Sequence, residues 1–350
     1  MPAHSLILHS LEEWHSFFNQ QLEKYSSVVL LCDSNTSAHC LERFTSIYLN
    51  HSHLPLHTVI IEPGEAQKVL STAERVWDEM ITKGIDRNGV LIALGGGVIS
   101  DLGGVIASAY KRGIAQINVP TTHLAMTDAA IGGKNAVNFN GVKNQIGFVH
   151  FPEAVLIDPA FLSTLPSKEL MSGWMETVKH ALISDLQLWN EIIEMDPLSA
   201  AMNAQIIHKS ASIKTKISDQ DPDDRGIRQA LNFGHTIGHA IEAQGGLLHG
   251  EAVALGTIAE TLLSSEKVHL EANACQQIVD YLLSHYREHL QGVQIDLNQL
   301  EKAMINDKKT SKGILRFSLI PNIGEIRVGC SVESHEAIKA VQSAIELVQT

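Results

Sequence analysis

The chain has 350 residues, 44% of them apolar and 19% charged, a length that favours two domains over one core and a composition that excludes a disordered or fibrous protein. Its formal net charge of −13 repels polyanions, which excludes nucleic acid and anionic membrane surfaces as general partners and requires a local basic cluster for any anionic substrate. Cys32, Cys40, Cys275 and Cys330 are scattered without a C-x-x-C pair, so neither a disulfide framework nor a thiolate metal site is expected.

The stretch MPAHSLILHSLEEW has no basic start leading into a long apolar run, and no segment reaches about 18 uninterrupted apolar residues, so a cytoplasmic chain is expected. VVLLC at 28–32 reads as a short buried parallel strand that stops at Asp33-Ser34-Asn35. VIIE at 59–62 is a second such run, and ERVWDEMITKG after it has helical spacing with a stop at Gly84. GVLIAL at 89–94 runs into Gly95-Gly96-Gly97, and QINVP ends at Pro120. This alternation predicts an α/β, Rossmann-like domain with a parallel sheet over residues 1–160. Beyond it, SKELMSGWMETVKHALISD, NAQIIHKSASIKTKIS, NFGHTIGHAIEA and HGEAVALGTIAETLLSSEKV carry helical periodicity, which predicts a mainly α-helical domain over 161–350. Prolines in PEAVLIDPAFLSTLP mark the boundary, and no internal repeat is present.

Three constellations carry chemistry. Gly95-Gly96-Gly97 ends a strand and opens the helical run VISDLGGVIASAY, where missing side chains and the helix dipole suit a pyrophosphate; Asp33 could accept from a ribose hydroxyl or cap its own loop. His235 and His239, four apart, project from one helix face, and His249 follows; with Glu176, Glu242 and Glu251 as candidate carboxylates, the set suits a three-ligand zinc site. Lys134, Lys143-Asn144, Lys179, Lys214 and Arg228 form a set of basic and amide residues that could supply the local cluster a phosphorylated or carboxylated substrate requires in an acidic chain.

On these residues the chain resembles the 3-dehydroquinate synthase family. The resemblance runs through DSN (33–35), GEAQK (64–68), GGGVISDLGG (95–104), KRGI (111–114), VPTTHLAMTDAAIGGK (119–134), VKNQIG (142–147), METVKH (175–180), RQALNFGHTIGHAIEA (228–243), HGEAVALG (249–256) and DKK (307–309). It implies NAD, a divalent metal, usually zinc with cobalt as a substitute, and a homodimer. The metal ligands it implies are Glu176, His235 and His249. The NAD contacts it implies are Asp33, Glu65, Lys68, Gly95, Gly96, Gly97, Asp101, Thr121, Thr122, Lys143, Phe161 and Thr164. Substrate contacts would come from Arg112, Asp128, Lys134, Asn144, Lys179, Lys214, Arg228, Asn232, His239 and either Lys308 or Lys309, with His239 moving a proton. The implied reaction turns the sugar phosphate 3-deoxy-D-arabino-heptulosonate 7-phosphate into 3-dehydroquinate by transient oxidation, phosphate elimination, re-reduction, ring opening and an aldol closure. His123, Met126, Ala129, Ala130, Asn135 and Met175 depart from the commoner family pattern.

Overall fold

The computed structural model describes residues 5–306 and 314–350. Among these the chain divides into two compact units: unit 1 holds the residues up to Pro166 with Met202–Ala211, and unit 2 holds Ser167–Ala201 with the residues from Ser212 onward.

Unit 1 contains strands β1 (Leu6–Leu8), β2 (Val28–Asp33), β3 (Leu56–Ile61), β4 (Val90–Gly95), β5 (Ala115–Pro120), β6 (Lys134–Phe139), β7 (Val142–Val149) and β8 (Ala154–Leu156). Between them run helices α1 (Leu11–Gln21), α2 (Ser34–His39), α3 (Leu41–Leu49), α4 (Leu70–Thr82) and α5 (Gly97–Ala109). Six strands form one parallel sheet in the order β1-β8-β5-β4-β2-β3. The runs VVLLC and VLIAL are buried throughout, the pattern of parallel strands covered on both faces. β2 lies between β3 and β4, so the strand order reverses there, and Asp33 and Gly95 end the two strands that flank the switch point. β6 and β7 form a separate antiparallel hairpin around Asn140-Gly141, both at left-handed φ (50° and 76°), the backbone a two-residue turn demands. Buried Asn135, one of the departures from the family pattern, ties this hairpin down by donating to Gly133 O and His150 O, each at 2.9 Å.

Unit 2 is mainly helical: α6 (Ser167–Ser184), α7 (Leu186–Ile192), α8 (Pro197–Ala201), α10 (His235–Glu242), α11 (His249–Val268), α12 (Ala272–Leu290), α13 (Leu297–Asn306) and α14 (Ser334–Gln349), with α9 (Ala204–Gln220) starting in unit 1 and ending here. α11 is its axis and packs against α6, α10, α12 and α14. An antiparallel hairpin of β9 (Ile314–Leu319) and β10 (Arg327–Glu333) completes the unit. In β9 the buried Leu315, Phe317 and Leu319 alternate with exposed Arg316, a period of two within a helical region. Among the described residues, no helix is long and apolar enough to cross a membrane.

Candidate functional site

Among the described residues, several overlapping groups have metal-ligand spacing, and the one formed by Glu176, His235 and His249 is built entirely within unit 2. Glu176 is fully buried on α6, while His235 and His249 are the first residues of α10 and α11. Glu176 Oε1 lies 3.1 Å from His235 Nε2 and 3.3 Å from His249 Nε2. A tetrahedral ion with bonds of about 2.0–2.1 Å sets its ligand atoms about 3.3 Å apart, so the spacing is that of a metal edge.

Tautomers argue the same way. His235 Nδ1 lies 3.1 Å from the Phe233 carbonyl, which can only accept, so that nitrogen carries the hydrogen and Nε2 carries the lone pair. His249 Nδ1 meets Glu242 Oε2 at 3.1 Å, the carboxylate–histidine arrangement found behind metal-bound imidazoles. Two imidazole lone pairs then face one carboxylate oxygen, and only a cation between them relieves the repulsion. In the metal-free protein a proton serves: burial opposes the charged His249, but its hydrogen bonds to Glu176 and Glu242 outweigh it and push the imidazole up to about 9. Burial would likewise raise Glu176, yet the Lys179 ammonium and His235 hold its carboxyl well below the usual range. Lys179, one turn on, ion-pairs with the other oxygen, Oε2.

Of the three carboxylates left open by sequence spacing, Glu176 faces both Nε2 atoms and Glu242 supports His249 from behind. Glu251 is spent on structure, accepting from Leu248 N at 2.7 Å and lying 3.2 Å from His289 Nδ1. His239 packs its ring 4.9 Å from that of His235 and 5.8 Å from that of His249, and with Asn232 and His235 it lines a cavity shared with Arg316 and Ser318. Arg228 and Lys214 are buried in the same unit. Asp221 shapes the loop before Arg228 by accepting from the amides of Arg225, Gly226 and Arg228, and the Arg228 guanidinium donates to Pro222 O at 3.2 Å.

Unit 1 gathers the residues expected to hold a nucleotide. Gly96 is the N-cap of α5, and a Cβ on Gly95 would sit 2.6 Å from the Ile99 side chain, so the tight strand-to-helix turn tolerates no side chain there. Ala129 lies against Gly97, where an added Cβ would stand 3.2 Å from the Ala129 methyl. Thr121 N donates to Gly95 O, and Thr122 Oγ1 accepts from Ala125 N. Asp33 caps α2 through Thr36 N at 2.7 Å. Lys68 is buried, pairs with Asp101 at 2.5 Å and donates to Asn144 Oδ1 at 2.7 Å, while Glu65 accepts from Asn138. Burial wins over Lys68 and pushes Asp101 up to about 6. Lys134, Lys143 and Asn144 lie exposed on the β6–β7 hairpin, Arg112 is exposed at a left-handed φ of 69°, and Asp128 is half-buried. Phe161 stacks on Trp14 in the core, and Thr164 is exposed at the end of the same turn. Lys308 and Lys309 lie outside the described residues.

Sequence reasoning missed Glu242 as the support of His249, Arg316 at the cavity, and Glu260. Their signals were present: Glu242 is seven residues from His235 on one helix face, and Glu260 is a lone carboxylate in the uncharged run between Glu251 and Glu266 of α11.

A parallel α/β unit with a glycine turn at its switch point, joined in one chain to a helical unit with a His/His/Glu cluster, defines the class: a nucleotide-fold protein with a metal-competent helical unit. Family models for the 3-dehydroquinate synthase N-terminal and C-terminal regions match residues 58–172 and 173–310. The 3-dehydroquinate synthase of Parabacteroides distasonis is 35% identical over 325 residues, 91% of each chain, and that of Streptococcus sanguinis is 39% identical over 276 residues, 76% of each. Among solved structures, a 2-epi-5-epi-valiolone synthase from Streptomyces hygroscopicus with NAD+ and Zn2+ bound superposes with a TM-score of 0.84 at 25% identity, covering 99% of this chain and 97% of that one. A 2-deoxy-scyllo-inosose synthase complexed with carbaglucose-6-phosphate, NAD+ and Co2+ gives 0.82 at 26% identity, covering 97% and 96%. The chain belongs to the 3-dehydroquinate synthase family.

Proposed function

We propose that the chain is a carbon–oxygen lyase that converts 3-deoxy-D-arabino-heptulosonate 7-phosphate to 3-dehydroquinate and phosphate. Family membership over both units supports this reading, and the observation that carries it is Glu176 Oε1 set against the Nε2 atoms of His235 and His249. Relatives of the same fold hold NAD+ with Zn2+ or Co2+, and the chemistry of the donors here suits such an ion, zinc being our choice. When bound, the metal supplies Lewis-acid polarisation of substrate oxygens and NAD supplies a reversible hydride acceptor.

The chain's own residues do the rest. Glu176, His235 and His249 would hold the ion, with Glu242 and the Phe233 carbonyl fixing both imidazoles by their Nδ1 atoms. In unit 2, Lys179, Lys214 and Arg228 would anchor the substrate's phosphate or carboxylate, with Asn232 as a further substrate contact; in unit 1, Lys134 and Asn144 would serve the same anions, with Arg112 and Asp128 as further substrate contacts, the orientation that an intramolecular ring closure most needs. His239, beside both ligand imidazoles, would take the proton from the oxidised hydroxyl. In unit 1, Asp33 would accept from the ribose, and the Gly95–Gly97 turn with the α5 N-terminus would receive the pyrophosphate. Glu65, Lys68, Asp101, Thr121, Thr122, Lys143, Phe161 and Thr164 would frame that NAD site. The reading extends to a homodimer in the cytoplasm.

A second reading, a cyclase acting on a sugar phosphate without a carboxylate, is favoured by the two solved structures, at 25–26% identity against 35–39% for curated 3-dehydroquinate synthases. Phosphate release measured side by side with carboxylated and non-carboxylated sugar phosphates separates them. Turnover confined to the carboxylated substrate is expected; turnover confined to the other would reverse the assignment.

A further inference from the structure

Helix α10 begins without a cap of its own. Its N-cap is Gly234, held at a left-handed φ of 77°, where a Cβ would meet Thr257 Oγ1 at 2.2 Å, so no capping side chain fits at that position. The first amides of a buried helix nevertheless need acceptors. They find them on α11. Glu260 Oε2 accepts from Gly234 N–H at 2.7 Å and Oε1 accepts from Ile237 N–H at 3.2 Å. These are the N-cap and N3 positions, so a single carboxylate from the neighbouring helix does what the two side chains of a capping box do within one helix.

Glu260 is fully buried on α11, the one ionisable side chain among buried Thr257, Ile258, Ala259, Thr261 and Leu263. Burial pushes its carboxyl up to about 8, against the pull of the Gly234, Ile237 and Thr236 amides. Keeping such a group in a core is costly, and the cost is offset by the amides that would otherwise be left without acceptors. What it holds is specific. The first residue of α10 is His235, and Glu260 sits eleven residues, about three turns, beyond His249 on the same face of α11. A Cβ on Gly256 would stand 2.2 Å from Gly234 O, so the backbones of the two helices already touch where Glu260 pins them.

We propose that Glu260 is a positioning residue for the metal centre: it fixes the start of α10, and with it the His235 imidazole, relative to the helix that carries His249. The inference rests on Glu176, His235 and His249 being the metal ligands.

The test is Co2+ titration of the full-length protein, with affinity read by chelator competition and geometry by the visible absorption of the bound ion, in the parent, Glu260→Gln and Ser264→Ala. Ser264, one turn further on α11, accepts from Ile320 N and donates to Glu260 O, so its loss weakens the same helix without touching the cap. The expected result is a roughly 10- to 100-fold weaker Co2+ affinity and an altered spectrum in Glu260→Gln, the range for outer-shell partners of metal ligands, with Ser264→Ala lowering Tm but keeping affinity within about twofold. A Glu260→Gln variant with lowered Tm and unchanged affinity and spectrum would reduce Glu260 to a structural cap. Should that variant not fold, Glu260→Asp, which keeps the carboxyl group one methylene short, is read by the same titration against the same two outcomes. A parent that binds no Co2+ overturns the metal reading itself, and the positioning role with it.

Discussion

Glu176 Oε1 receives two imidazole nitrogens whose opposite ring positions are committed to acceptors, so its environment is designed for a cation. Glu176→Gln should therefore lose bound metal rather than merely weaken it, and elemental analysis of purified protein should fall to less than about a tenth of an equivalent, with activity lost in step. Glu242→Gln acts one shell further out: it frees the His249 ring without removing a ligand, and the expected cost is roughly 10- to 100-fold in metal affinity by chelator competition. Asp101 offers a pH signature away from the metal. Its carboxyl ionises at about 6 in the folded chain against 3.8 ordinarily, so between about pH 4 and 6 the folded state holds a proton that the unfolded state has lost. This group therefore removes stability as pH rises through that window. In Asp101→Asn the loss disappears, and urea titrations should show the variant gaining about 1–3 kcal/mol relative to the parent between pH 4 and 7.

At the scale of elements, the packing of α10 on α11 decides whether the histidines meet. Gly256→Ala would push a methyl onto Gly234 O at 2.2 Å and Gly238 N at 2.7 Å, backbone atoms that cannot swing aside. Destabilisation of about 1–3 kcal/mol or more, with weaker metal binding, is expected by denaturant unfolding and chelator competition. The parallel strands were legible because their apolar runs end in Asp33 and Gly95, and α6, α9 and α11 were legible from their periodicity. The β9–β10 hairpin was not foreseen, although Leu315, Phe317 and Leu319 alternate plainly; a short period-two run is overshadowed by the long helices around it. Spacing proposed His235 and His249 but could not choose among Glu176, Glu242 and Glu251, because α6 lies far upstream and only tertiary packing brings it onto α10 and α11. The cap of α10 was illegible for the same reason: its acceptor comes from Glu260, not from the residues before His235.

Across the whole molecule, an acidic chain of net charge −13 buries Lys179, Lys214 and Arg228 within unit 2, a concentration of positive charge that only an anionic ligand or fixed carboxylates would justify. Unit 1 supplies a parallel α/β sheet with a glycine turn at its switch point, and unit 2 would supply the metal donors. A lyase of this family would use both without net redox change, which separates it from a dehydrogenase using the same parts. The most direct measurement is phosphate release from 3-deoxy-D-arabino-heptulosonate 7-phosphate by purified protein with catalytic NAD, with and without chelator, while NADH absorbance is followed. Stoichiometric phosphate with no accumulating NADH, abolished by the chelator, is the result expected; NADH accumulating without phosphate, or turnover indifferent to chelation, would contradict the account.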